Sequence, residues 1–139
     1  MADQRERVLV VDVANVVGSR PDGWWRDRAG AAQRLLAGLR TLPGAGVAGP
    51  DGDPGALVLV EVVAVLEGAA RSADPAAHPG LRVVRAQRDG DAAVVAEAGR
   101  VVDAGAVPLV VTADRGLRER LPAGSRTTGP GWLNALLGR

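Results

Sequence analysis

The side chains able to do chemistry are mostly acids, and they follow runs of apolar, β-branched residues. Asp12 and Asn15 stand in VVDVAN, Glu67 in VLEGAAR, Asp89 and Asp91 in RDGDAA, and Thr112 with Asp114 in VVTADR. Carboxylates gathered at one place repel one another, and their pKa values rise unless a cation is present. A divalent cation held by a few carboxylates and waters, Mg2+ or Mn2+, is the simplest resolution. Such an ion can activate water and stabilise charge on a phosphodiester. Asp12 carries this reading most strongly, because an Asp near the end of a buried strand is rarely left unpaired. The others have plainer alternatives. Asn15 suits a turn, Asp91 and Asp114 suit the first turn or the cap of a helix, and Thr112 is an ordinary strand-end residue. Asp89 and Glu67 are candidates to complete a metal shell or to orient water.

The residue types that are missing narrow the chemistry further. The absence of Cys excludes thiol nucleophiles, disulfides and Cys-ligated zinc. There is no Tyr and no Lys, so all 17 basic side chains are Arg. That removes the P-loop and Schiff-base chemistry, and it counts against receiver domains and haloacid-dehalogenase-like phosphatases. The single His, His78, lies in a Pro-flanked turn, is expected to face solvent, and cannot build a His-rich metal site. DGDPG at Asp51 fails the calcium-loop pattern, because Ala56 and Val62 stand where Gly and Glu are needed. Trp24 and Trp25, beside Arg26 and Arg28, suit base stacking near phosphates. The plainer reading packs them against the sheet, and Trp132 reads as an anchor of the last helix. A formal net charge of +1 does not by itself point to nucleic acid.

The elements that must position these residues alternate between strand and helix. Residues 8–13, 57–66, 81–86 and 107–112 read as strands, with 126–128 as a short fifth. The run 57–66 is long for a strand and carries Glu61 in its middle, where a bulge or break is expected. Residues 24–42, 91–104, 114–121 and 132–137 read as helices. Residues 43–56 form a Gly/Pro-rich loop, either an insertion or a mobile functional loop. With 139 residues the chain is expected to be one domain, 1–139, of α/β class. The alternation implies three layers, α/β/α, around a mostly parallel sheet. Right-handed crossovers then bring all the acidic strand ends to one rim, where ligands of such sheets bind. Nothing resembles a signal peptide, and no stretch is apolar enough to span a bilayer, so the expected location is cytoplasmic, without membrane contact.

Three segments resemble the PIN-like nucleases and their NYN branch, which includes YacP-type proteins. VLVVDVANVV is similar to that group's first strand, ending in Asp and followed shortly by Asn. DGDAAVVAEA is similar to its acidic helix start, and VPLVVTADRGLRERL to its late strand with Thr-x-Asp-Arg. GPGWLNALL is compatible with its closing helix. The resemblance implies a PIN-like fold and metal-dependent cleavage of single-stranded or structured RNA. It implies Asp12, Asp91 and Asp114 as metal-binding acids, Asn15 and Thr112 in support, and Glu67 at the second-strand acidic position. It also leaves room for a homodimer or an inhibitory protein partner. The chain departs from the group in lacking a Lys-rich surface and in the 43–56 segment. Two other functions remain open: a catalytically silent RNA- or nucleotide-binding module, and a nucleoside triphosphate hydrolase using the same acids.

Overall fold

The computed structural model describes residues 5–75 and 78–139. Among them run β1 (Arg5–Asp12), α1 (Val13–Gly18), α2 (Arg28–Leu39), β2 (Ala45–Ala48), β3 (Ala56–Leu66), β4 (Leu81–Arg85), α3 (Gly90–Asp103), β5 (Pro108–Val111), α4 (Arg115–Arg120), β6 (Arg126–Thr128) and α5 (Pro130–Leu136). Short 3-10 turns cover Trp24–Arg26 and Gly68–Ser72. The six strands form one mixed, mostly parallel open sheet in the order β2-β3-β1-β5-β6, with β4 also on β3. Only β2 runs antiparallel.

β3 is long because two strands share its outer edge. Residues 56–59 pair with β2, and Val62–Leu66 pair with β4. Between them, the register with β1 jumps from Arg7↔Leu59 to Val8↔Glu61, so Val60 is an extra residue, as a bulge requires. The parity of the buried side chains changes there. Leu57 and Leu59 precede the bulge, and Val62, Ala64 and Leu66 follow it, yet all join one core. Glu61 is a structural residue: it faces Arg82 of β4 at 3.5 Å and Arg100 of α3 at 3.6 Å.

Strand alternation sends side chains to two cores. Leu9 and Val11 pack with α1, α2 and Leu133 of α5. Val8 and Val10 pack with Val94, Ala98 and Val101 of α3 and Leu117 of α4. Helices therefore cover both faces, an arrangement compatible with three α/β/α layers. No described helix is long and apolar enough to cross a membrane.

The structure corrects three local expectations. A helix, α1, follows β1 directly, because the Asp12 side chain caps it by accepting from the Asn15 N–H. The expected helix over 24–42 is divided: Asp27, with φ −150°, ends the Trp24–Arg26 turn and caps α2 through the Gly30 N–H. The 43–56 segment contains β2 and then a strap pinned against the sheet. Asp53 is 1% exposed, and the Arg7 Nε and Nη2 donate to its two oxygens at 2.6 and 3.1 Å. Arg5 adds a third bond to the same carboxylate. Farther along the sheet, the Trp132 indole N–H donates to the Ala48 carbonyl at 3.1 Å. His78 is half-buried, and its Nδ1 accepts the Gly80 N–H.

Candidate functional site

Because β1, β3, β4, β5 and β6 are parallel, their carboxyl ends lie on one side of the sheet. Asp12 is the last residue of β1 and only 6% exposed. Its Oδ2 accepts from the Thr112 hydroxyl at 3.0 Å, and its Oδ1 from the Asn15 N–H at 3.4 Å. The Thr112 hydroxyl in turn accepts the Asp114 N–H at 3.2 Å. Asn15 Oδ1 accepts the Ala113 N–H at 2.9 Å, closing a ring of bonds between the end of β1 and the segment after β5. Asp12, Asn15, Thr112 and the Asp114 backbone thus form one unit, drawn from two segments about a hundred residues apart.

The other acids border this unit, and Asp114, Asp89 and Glu67 each accept a backbone N–H. Asp114 is exposed and caps α4 through the Leu117 N–H at 3.1 Å. Asp89 is the cap of α3, accepting the Asp91 N–H at 2.8 Å, and Asp91 lies in the first turn. Glu67 Oε2 accepts the Gly90 N–H at 2.9 Å, tying the end of β3 to the start of α3. A side chain at Gly90 would stand 2.8 Å from the Glu67 carboxyl, so the absence of one leaves room for this bond.

Electrostatics couple the group beyond the hydrogen bonds. Burial pushes the Asp12 carboxyl up to about 6; the bonds from Thr112 and Asn15 oppose the rise, and the charges of Asp91 and Glu67 add to it. Asp91 is pushed up by burial and then by Asp114, Asp89 and Glu67, with Arg120 pulling the other way. Even so, among the described residues no group of three or more His, Cys, Asp or Glu is gathered closely enough to hold one ion. Asp12, Asp89 and Asp114 are each turned toward the helix start they cap, and Glu67 toward the start of α3, which spaces these carboxylates apart. The donor set does not make a closed protein cage. Mg2+ commonly binds proteins through one or two carboxylates and keeps several waters.

Two contributors were not legible in the sequence. The Arg118 Nε and Nη2 donate to the Thr112 carbonyl at 2.9 and 2.6 Å, bracing the strand end from α4. The Ala113 N–H, a backbone group, orients Asn15. Spacing alone gives Arg118 only as a helix-face arginine. Its partner is a carbonyl, which leaves no mark in a sequence.

The chain matches no protein-family model and no curated protein by sequence.

Proposed function

We propose that this chain is a metal-dependent, ribonuclease-like phosphodiester hydrolase of the PIN-like/NYN kind, acting on RNA with Mg2+ or Mn2+. The observation that carries the reading is Asp12: a nearly buried carboxyl, pushed up to about 6, facing the charges of Asp91 and Glu67 with no basic side chain bonded to it among the described residues. Such a carboxylate is costly to ionise until positive charge arrives. Asp12 would hold the ion, with Asp91 as second ligand and Glu67, Asp89 and Asp114 reaching it through water. When bound, the ion would activate water and stabilise charge on the phosphodiester. Thr112 and Asn15 hold the Asp12 carboxylate in place, and Arg118 fixes the backbone that carries Thr112.

The test is cleavage of labelled single-stranded RNA in Mn2+, with EDTA and Asp12→Asn as controls. Loss of cleavage in both controls is expected. Cleavage that survives Asp12→Asn sinks the assignment.

One observation favours a second reading, a silent RNA- or nucleotide-binding module: no three acids are gathered around a common point among the described residues. RNA binding that persists in EDTA, with no cleavage in any divalent metal, would move the assignment there. Release of phosphate from nucleoside triphosphates, with oligonucleotides left intact, would move it to nucleotide hydrolysis.

A further inference from the structure

Beside the acidic rim lies a cavity of about 370 Å3. It is lined by Val13 and Val17 of α1, which belong to the buried core. Trp24, half-buried and packed on that core, contributes an aromatic surface, and the Arg28 guanidinium lies 5.3 Å from its ring centroid. Arg88 and Glu67 supply the remaining charged side chains of the lining. Trp25, 52% exposed, is not part of it.

The volume is near the lower end for small-ligand sites, roughly 300–1,000 Å3, enough for one planar base with its sugar. Apolar surface, an indole and a guanidinium plane are what unpaired bases stack on. The two arginines suit the phosphates that flank such a base. Glu67 connects the cavity to the rim: it lines the one, and its Oε2 accepts the Gly90 N–H at the start of α3, between Asp89 and Asp91 of the other. Whatever occupies the cavity therefore has its neighbouring groups beside the acids.

We propose that this cavity is a base subsite. It takes one unpaired nucleobase of a single-stranded RNA, stacked on the Trp24–Arg28 pair, and so sets the adjoining phosphate at the acidic rim. The proposal rests on the nuclease reading for its substrate, but its test does not need cleavage.

The experiment removes one base at a time from a 5′-labelled tetraribonucleotide. Binding is followed by fluorescence anisotropy in EDTA for the wild type, Trp24→Leu and Ala69→Leu. Ala69 is exposed on the turn after β3 and lines the cavity, so enlarging it fills the space without disturbing the core. Loss of the base at one position is expected to weaken wild-type binding roughly ten-fold. Both variants are expected to bind the intact strand about that weakly, with no further loss when the same base is removed. Equal wild-type affinity for every abasic strand overturns the proposal. So does an abasic penalty that persists in both variants, or no binding of the intact strand at all. Metal-dependent cleavage indifferent to these changes would leave the nuclease reading standing alone. Base-dependent binding by a protein that cuts nothing would leave the subsite standing alone.

Discussion

Two aspartates lie against opposite ends of β1 and meet opposite surroundings. Asp53, on the strap, reaches Arg7 and Arg5 near the start of the strand. Burial pushes its carboxyl up, but the Arg7 hydrogen bonds and the charges of Arg7, Arg5 and Arg126 outweigh that and hold it below the usual carboxylate range. Asp12, at the other end, is also buried, but its bonding partners are a hydroxyl and an amide, and its neighbours are acids. The difference is one of partners, since both carboxylates are almost out of water. One end of the sheet pairs its buried charge with arginines. The other leaves a buried charge uncompensated, as sites that bind or react commonly do.

The comparison is most exposed to Asp53→Ala. Removing one member of a buried, hydrogen-bonded ion pair strands the other, so a loss of about 3–5 kcal/mol is expected in urea unfolding. A loss below about 1 kcal/mol would mean that Arg7 finds water, and that the two ends do not differ as described. Asp12→Asn should act in the opposite sense. Its folded pKa, about 6, lies above the ordinary value, so the fold binds more protons than the unfolded chain between those values. Stability from this group therefore falls as pH rises toward 6, and above 6 the full penalty is present. Asp12→Asn is expected to raise stability at pH 8 by roughly 2–3 kcal/mol, a gain that vanishes near pH 4. Thermal melts of both proteins across that range check it, and an equal offset at every pH would refute the electrostatic account. For Asp53 the sign is reversed: its contribution is present above the ordinary Asp range and is lost as pH falls below it.

A smaller effect comes from divalent metal. Mn2+ at about ten times its dissociation constant should stabilise the wild type by about 1.4 kcal/mol, and Asp12→Asn by much less. Equal shifts in the two proteins would place the ion elsewhere. The smallest expected effect is that of Arg5→Ala. Its side chain is 39% exposed, so its bond to Asp53 should be worth less than about 1 kcal/mol, set against the large loss from Asp53→Ala. A cost comparable to that of Asp53→Ala would make Arg5, and not Arg7, the main partner.

The acid-bearing strand ends were legible because buried parallel strands are unbroken β-branched runs, and polar residues mark where they stop. VLVVDV and VPLVVT declare their own ends in this way. The α1 helix was hidden because VANVVG continues the same residue types past Asp12, and only the cap on Asn15 turns the chain. β2 was hidden for a different reason: AGVA has little side chain to show a period and is held mainly by its ladder to β3. At the site, residue identities were readable and contacts were not. Asp89 and Asp91 are both plausible helix starts by type, and only the structure assigns the cap to Asp89 and the first turn to Asp91. The pairing of Asp53 with Arg7 joins positions 46 apart, and no local pattern announces it.

The extra residue at Val60 has a consequence for how the chain can tolerate change in length. A strand with a strict two-residue period accepts no single insertion or deletion, because every side chain beyond it would move to the opposite layer. The bulge already makes that switch once, so β3 behaves as two half-strands in opposite phase, spliced between the β2 and β4 pairings. Deleting Val60, the extra residue, would restore the strict period and leave Leu57, Leu59, Val62, Ala64 and Leu66 on the layer they share, whereas an insertion within either half-strand would turn the residues beyond it away from that core. The reading frame of the sheet is thus held by a single seam. Glu61, with Arg82 and Arg100 around it, sits where that seam must not slip.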